Sequence, residues 1–171
     1  LALGSPIVRV VIDTATHQPS PDEIVATLRE PLRAYQDAGI TLAIENHDRF
    51  GVRDLVRLLQ RLDSPAVGIC LDTANSLGAL EGTEAVLAAL VPWTVNLHIK
   101  DIAIVRTNRG MGFVVEGRPA GEGMLDIPHV LDMLRAHGRD PNVIIELWPP
   151  EQPTLEETIA LERLWVERSG L

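Results

Sequence analysis

Four residues that can hold a metal or move a proton stand at the ends of apolar runs. Glu45 closes "TLAIE", Asp72 closes "VGICLD", His98 lies in "TVNLHIK" and Glu146 follows "NVII". Three carboxylates and one imidazole in one place make an oxygen-rich site with a single nitrogen donor. Such a set suits one divalent metal ion, Mn2+, Mg2+, Co2+ or Zn2+, and does not choose among them. A lone acid at a strand end is more often a helix cap or a solvated group, and a lone histidine is more often a core residue. Four together are a different matter. Side chains alternate between the two faces of a strand. In each run one face carries branched apolar residues: Leu42 and Ile44, Ile69 and Leu71, Leu97 and Ile99, Val143 and Ile145. The opposite face carries Glu45, Asp72, His98 and Glu146.

Other polar residues share that second face. Lys100, two residues beyond His98, is placed to neutralise an enolate or hold a substrate carboxylate; the plainer role is an ion pair with Asp101 or another acid. His47 is placed to bind a hydroxyl or pass a proton, or else to make a supporting hydrogen bond. Asp13 either touches substrate or caps a helix. The segment 103–125 holds Arg106, Arg109, Arg118 and five glycines. It reads as a long loop over the site, and Arg106 is the arginine taken as the anion fork. Its plainer reading is a solvated hairpin with "FVVEG" as a strand. Glu122, in "AGEG", faces the pocket or orders the loop. Trp148 walls the pocket or packs in the core. Cys70 reads as a small core residue.

The elements that must position these groups follow from periodicity. Five short runs rich in Val and Ile, 7–13, 41–47, 67–73, 94–101 and 142–148, have strand length. Helical patterns separate them. "SPDE" opens a helix over 21–38 that Gly39 stops and Pro31 is able to kink. Leu55, Leu58, Leu59 and Leu62 mark a helix over 52–62. Thr83 is expected to cap 83–90, Gly138 to stop 126–137, and "TLEE" to cap a last helix ending near Ser169.

Alternating strands and helices predict a parallel sheet with crossover helices. No GxGxxG or GxxxxGK[ST] follows any strand, so a barrel is expected over an open nucleotide-binding sheet. The expected fold class is α/β, the C-terminal portion of a (β/α)8 TIM barrel. Residues 1–171 would form one domain lacking about three of the eight βα units. The opening "LALGSPIVRVV" reads as a helix end running into a strand, with Gly4 as the stop.

The net charge is -9 with only 15 Lys and Arg, which disfavours nucleic acid as a partner. Cys70 is the sole cysteine, consistent with a reducing, cytoplasmic setting. No apolar run has the length of a bilayer span, so no membrane partner is expected. Two open strand edges in a partial barrel invite pairing with another chain, which allows a homo-oligomer.

In order, "LAIENH", "GICLDTAN", "NLHIKD", "GRPAGEGMLD" and "VIIEL" resemble the sugar phosphate isomerase/epimerase family of xylose isomerase-like barrels. The resemblance spans essentially the whole chain and its last five βα units. It implies that Glu45, Asp72, His98 and Glu146 fall on the family's metal ligands. Many members carry His where this chain has Asn75, so Asn75 is expected to bind substrate without titrating. "DTANSLG", "HIKD" and the 103–125 loop are most similar to the branch that includes 3-oxo-isoapionate decarboxylases.

The expected function is a divalent-metal-dependent isomerase or epimerase of a sugar or sugar acid, acting through a metal-stabilised enediolate. Glu45 and Glu146 would move the proton, with Lys100 as the third catalytic residue. His47, Asn75, Arg106 and Glu122 would bind the substrate. The alternatives are a metal-dependent decarboxylase of a 3-oxo sugar acid and a non-catalytic partial barrel serving as an interaction module. A DNA-repair nuclease of the same barrel type is disfavoured by the acidic charge and the lack of extra ligating histidines.

Overall fold

The computed structural model describes residues 4–47 and 49–169. Five strands form one parallel sheet: β1 (Ile7–Val10), β2 (Thr41–Glu45), β3 (Val67–Asp72), β4 (Thr94–Ile99) and β7 (Asn142–Ile145). They lie in sequence order, with β1 and β7 at the two edges. The helices α1 (Pro21–Asp37), α2 (Val52–Leu62), α3 (Thr83–Leu90), α4 (Ile127–Ala136) and α5 (Leu155–Arg168) alternate with them. The architecture is the partial TIM barrel expected from the sequence. The helix end expected at residues 1–3 lies outside the described residues. No helix among those described is long and apolar enough to cross a membrane.

The helix ends follow local chemistry. Ser20 and Thr154 each form a capping box, with Glu23 and Glu157. Gly39 and Gly138 take left-handed backbone (φ +66 each) just past α1 and α4. Helix α1 continues through Pro31. Thr83 is the first residue of α3, and Gly82 holds the cap position with no side-chain bond, so the Thr83 cap is corrected by one residue.

One face of the sheet buries Leu42, Ile44, Ile69, Leu71, Leu97 and Ile99 in a core shared with Leu55, Leu58, Leu59 and Leu62 of α2 and with Val86, Leu87 and Leu90 of α3. This is the apolar face that alternation picks out in β2, β3 and β4; in the edge strand β7, Val143 and Ile145 stay exposed. The apolar face leaves the other face of the sheet free for polar groups.

Alternation alone would not bring Asp72 and His98 side by side. Ile69 pairs with Thr94, but Cys70 pairs with Asn96, so Val95 is an extra residue in β4. Beyond this bulge Leu71 meets Leu97 and Asp72 meets His98. Without it Asp72 would stand beside Leu97, whose side chain points to the opposite face. Gly68 makes room for the bulge. A Cβ there would lie 2.7 Å from Val95 Cγ1 and 2.8 Å from the Trp93 carbonyl oxygen. Gly68→Ala is therefore expected to destabilise the fold by about 1–3 kcal/mol through overpacking. Urea denaturation would measure this; an unchanged midpoint would show that the bulge relaxes freely.

The segment 103–125 departs from the expected long loop. Asp101–Arg106 (β5) and Phe113–Arg118 (β6) form an antiparallel hairpin, its plainer reading. The expected strand 94–101 accordingly splits in two at Lys100. The buried Asp101 carboxylate fixes the split. It accepts backbone N–H bonds from Ile102, Gly121, Gly123 and Leu125, at 2.8–3.2 Å. Those bonds tie the start of the hairpin to the chain that leaves it.

Candidate metal centre

Glu45 and Asp72 are the last residues of β2 and β3, His98 is next to last in β4, and Glu146 directly follows β7. One potential ligand atom from each lies within 4.8 Å of the others. Glu45, Asp72 and His98 are buried, whereas the Glu146 side chain is 41% exposed. His98 Nδ1 lies 2.8 Å from Glu146 Oε2 and 3.9 Å from Glu45 Oε1.

Each carboxylate is oriented by the neighbouring chain. Asp72 Oδ1 accepts the backbone N–H groups of Ala74 (2.8 Å) and Asn75 (2.9 Å). Its Oδ2 is buried with no hydrogen-bond donor. The Lys100 ammonium is 3.2 Å from that oxygen and gives it a counter-charge. Burial pushes the Asp72 carboxyl above the usual carboxylate range, against the pull of Lys100 and the two amides. Glu45 accepts from Arg9 on Oε2 and from Asn75 Nδ2 on Oε1 (3.0 Å).

Lys100 is the hub of the cluster. Its Nζ reaches Glu146 Oε1 (3.1 Å) and donates to Asn75 Oδ1 (3.1 Å). Burial pushes the ammonium pKa down, but Asp72 and Glu146 outweigh it and the net shift is upward. Burial pushes the Glu146 carboxyl up, and Lys100 with His98 brings it below its ordinary value. The Thr73 hydroxyl accepts the Lys100 N–H and donates to the Lys100 carbonyl, both at 2.9 Å, which fixes the backbone under the ammonium.

The donor set fits a divalent ion. Three carboxylates and an imidazole match the ligand chemistry of Mg2+, Mn2+, Co2+ and Zn2+. Donors across a small divalent ion stand roughly 4.2 Å apart, so the group needs only a modest contraction. A buried carboxylate oxygen without a donor, such as Asp72 Oδ2, is what a cation would satisfy.

Most of the remaining expected residues are near the group. His47, Asn75, Lys100, Glu146 and Trp148 line one cleft beside it. Lys100 pairs with Asp72 and Glu146, so of the two plainer partners, Asp101 or another acid, it takes the second. Arg106 and Glu122 are not brought there. Arg106 packs over its cross-strand partner Phe113, 5.9 Å from the ring centroid, towards the hairpin tip. Glu122 is paired with Arg168 of α5 at the surface. Cys70 is fully buried, accepts a bond from Asn96 Nδ2, and is pushed up to about 12 by burial, as suits a core thiol.

Sequence reasoning missed several supporting residues. Asn46, directly after β2, is buried, donates to the Asp72 carbonyl and accepts from the Asp72 N–H. Arg9 and Thr73 had no assigned part, and Asp101 entered only as an ion-pair partner for Lys100. Arg9 shares the parity of Asp13 on the inward face, and that parity was the one signal available. Asp13 itself is buried, with Oδ1 unpaired, and lies outside the group.

Residues 1–164 match the family described as Xylose isomerase-like TIM barrel. The chain is 38% identical over 168 residues to a 3-oxo-isoapionate decarboxylase of Pectobacterium atrosepticum, covering 98% of this chain and 61% of that protein. Among solved structures, a xylose isomerase-like TIM barrel protein from Mycobacterium smegmatis in complex with magnesium superposes with TM-score 0.73 at 15% identity, covering 99% of this chain and 64% of that one. A D-psicose 3-epimerase in the presence of D-fructose superposes with TM-score 0.63 at 16% identity, over 90% of this chain and 54% of that one. The chain thus spans about three fifths of the length of the decarboxylase. Its ordered motifs, its parallel half-barrel and its match over nearly the whole length make it a member of the xylose isomerase-like TIM-barrel family.

Proposed function

We propose that this protein is a divalent-metal-dependent enzyme acting on an anionic sugar derivative, and that its reaction is decarboxylation of a 3-oxo sugar acid. The charge inventory at the cluster carries the reading. Glu45, Asp72 and Glu146 contribute three negative charges, and Arg9 and Lys100 sit against them with two positive ones. A divalent ion held by Glu45, Asp72, His98 and Glu146 leaves one positive charge unmatched in a largely buried site. A substrate carboxylate matches it; a neutral ketose does not. The 38% identity to a 3-oxo-isoapionate decarboxylase points the same way.

When bound, the ion would supply Lewis acidity to a substrate carbonyl. The protein's own residues do the rest. Lys100 faces the cleft, so its ammonium holds the leaving carboxylate and then the negative charge that gathers on the carbonyl oxygen as the carbon–carbon bond breaks. Carbon dioxide departs, and the bond's electron pair is taken up as a proton reaches the carbon. His47 lines the same cleft and is the group placed to deliver that proton.

Isomerisation or epimerisation, placed first on sequence grounds, remains the second reading. It is favoured by two carboxylates, Glu45 and Glu146, in one group. Against it, two-way proton transfer needs bases with free lone pairs, and both are engaged: Glu45 by Arg9 and Asn75, Glu146 by His98 and Lys100.

Purified protein loaded with Mg2+ or Mn2+ should be given 3-oxo sugar acids, sugar phosphates and neutral ketoses, with CO2 release and isomer formation followed together. The expected result is CO2 release from the acids that a chelator stops. Isomer formation from a neutral ketose without CO2 release would replace decarboxylation by isomerisation.

A further inference from the structure

The cleft beside the four-residue group has a volume of about 360 Å3, within the range of small-molecule sites. Its floor comes from the ends of the parallel strands. One wall does not: Val115 belongs to β6 of the hairpin, and Trp148 to the segment after β7.

Their meeting is enforced by a glycine. A Cβ on Gly117 would lie 2.0 Å from the Trp148 carbonyl oxygen and 3.1 Å from the Trp148 Cβ. Hairpin backbone therefore rests directly on the backbone of Trp148, at a distance no other residue permits. The start of the hairpin is pinned independently by the four amide bonds to Asp101. So held, the hairpin is a fixed wall.

Trp148 is 59% exposed although it is one of the largest apolar side chains present. Its ring centroid is 6.0 Å from Lys100 Nζ. The cleft thus offers an ammonium at one point and an indole face with valine methyls alongside. A ligand that fits both is anionic at one end and presents C–H groups over its length. Sugar acids have that character, and an aromatic face with a nearby polar group is suited to it.

We propose that Trp148 and Val115, brought together by Gly117, form the specificity wall of this cleft and take the C–H face of a sugar acid whose carboxylate faces Lys100. The proposal rests on the sugar-acid reading of the metal centre given above. It adds residues outside that centre.

D-Gluconate is a suitable probe, added to the Mg2+-loaded protein and followed by tryptophan emission and calorimetry. Gluconate is expected to shift the emission, and Trp148→Phe to lose the shift with Trp93 and Trp165 still present. Trp148→Ala should weaken gluconate binding about tenfold, and Gly117→Ala should do the same by displacing the hairpin. Should Gly117→Ala fail to fold, Val115→Ala replaces it, with a loss of about threefold expected. Mg2+ affinity should stay the same in all of them. Wild-type gluconate affinity in Trp148→Ala, or a shift that survives in Trp148→Phe, would overturn the wall. A wild-type protein that binds Mg2+ but gives no response to gluconate would also overturn the wall, leaving the metal centre intact. Failure to bind Mg2+ would instead overturn the metal centre on which the proposal stands.

Discussion

Asp72→Asn is expected to lower divalent-metal affinity about a thousandfold, roughly 4 kcal/mol, and to abolish metal-dependent turnover with it. The substitution separates two jobs of one side chain. Oδ1 holds the amides of Ala74 and Asn75, and the asparagine carbonyl can take over both bonds. Oδ2 has no donor and is the oxygen that a cation would satisfy; its replacement by an amide nitrogen places donors where an acceptor is required. The apo protein should not suffer. Removing one of three crowded carboxylates relieves like-charge repulsion with Glu45 and Glu146, which offsets the loss of the Asp72–Lys100 ion pair. Thermal unfolding without metal should therefore be unchanged or slightly later than for the wild type. Mg2+ or Mn2+ titration by calorimetry measures the first effect. Wild-type affinity in the variant would remove Asp72 from the ligand set, and a large fall in apo stability would make its role structural.

The sequence made the strands and their faces legible because the signals are local. Val- and Ile-rich runs gave the five strands, and Ser20, Thr154, Gly39 and Gly138 marked helix ends with their own chemistry. Parity then put Glu45, Asp72, His98 and Glu146 on one face, and the structure brings the four together. Parity also hid a difficulty. It describes each strand alone, whereas the alignment of β3 with β4 depends on the bulge at Val95 and the space left by Gly68. Nothing local to Asp72 announces that a glycine four residues earlier sets its neighbour across the sheet. The hairpin was misjudged for a similar reason. Arg106 looked like an anion binder from its place in a glycine-rich segment, but cross-strand pairing sets it against Phe113. Glu122 looked like a pocket acid, and its partner Arg168 comes from a helix 46 residues on. Long-range pairs of this kind leave no trace in the spacing of either residue.

Lys100→Met is expected to reduce kcat/KM on a 3-oxo sugar acid about a thousandfold while metal affinity holds or rises. The ammonium is buried against Asp72 and Glu146 and opens onto the cleft, where a substrate carboxylate would find it. Methionine keeps the length and the packing and removes only the charge. If Lys100 served mainly to hold the cluster together, its loss would leave the carboxylates repelling one another, and the fold and the metal site would fail together. The geometry argues otherwise. Thr73 fixes the Lys100 backbone, amides fix Asp72, and Arg9 with Asn75 fixes Glu45, so the ligands stay in place without the ammonium. A cation entering a cluster with one positive charge fewer meets a stronger field, and its affinity should not fall. The defect should also depend on the substrate. Turnover of a neutral ketose, if there is any, should change little, because such a molecule brings no carboxylate to hold. Steady-state kinetics on the acid and the ketose, beside Mg2+ titration of the same variant, decide the matter. Equal losses on both substrates, or a loss of metal affinity matching the loss of rate, would show that Lys100 maintains the metal centre and does not bind the anion.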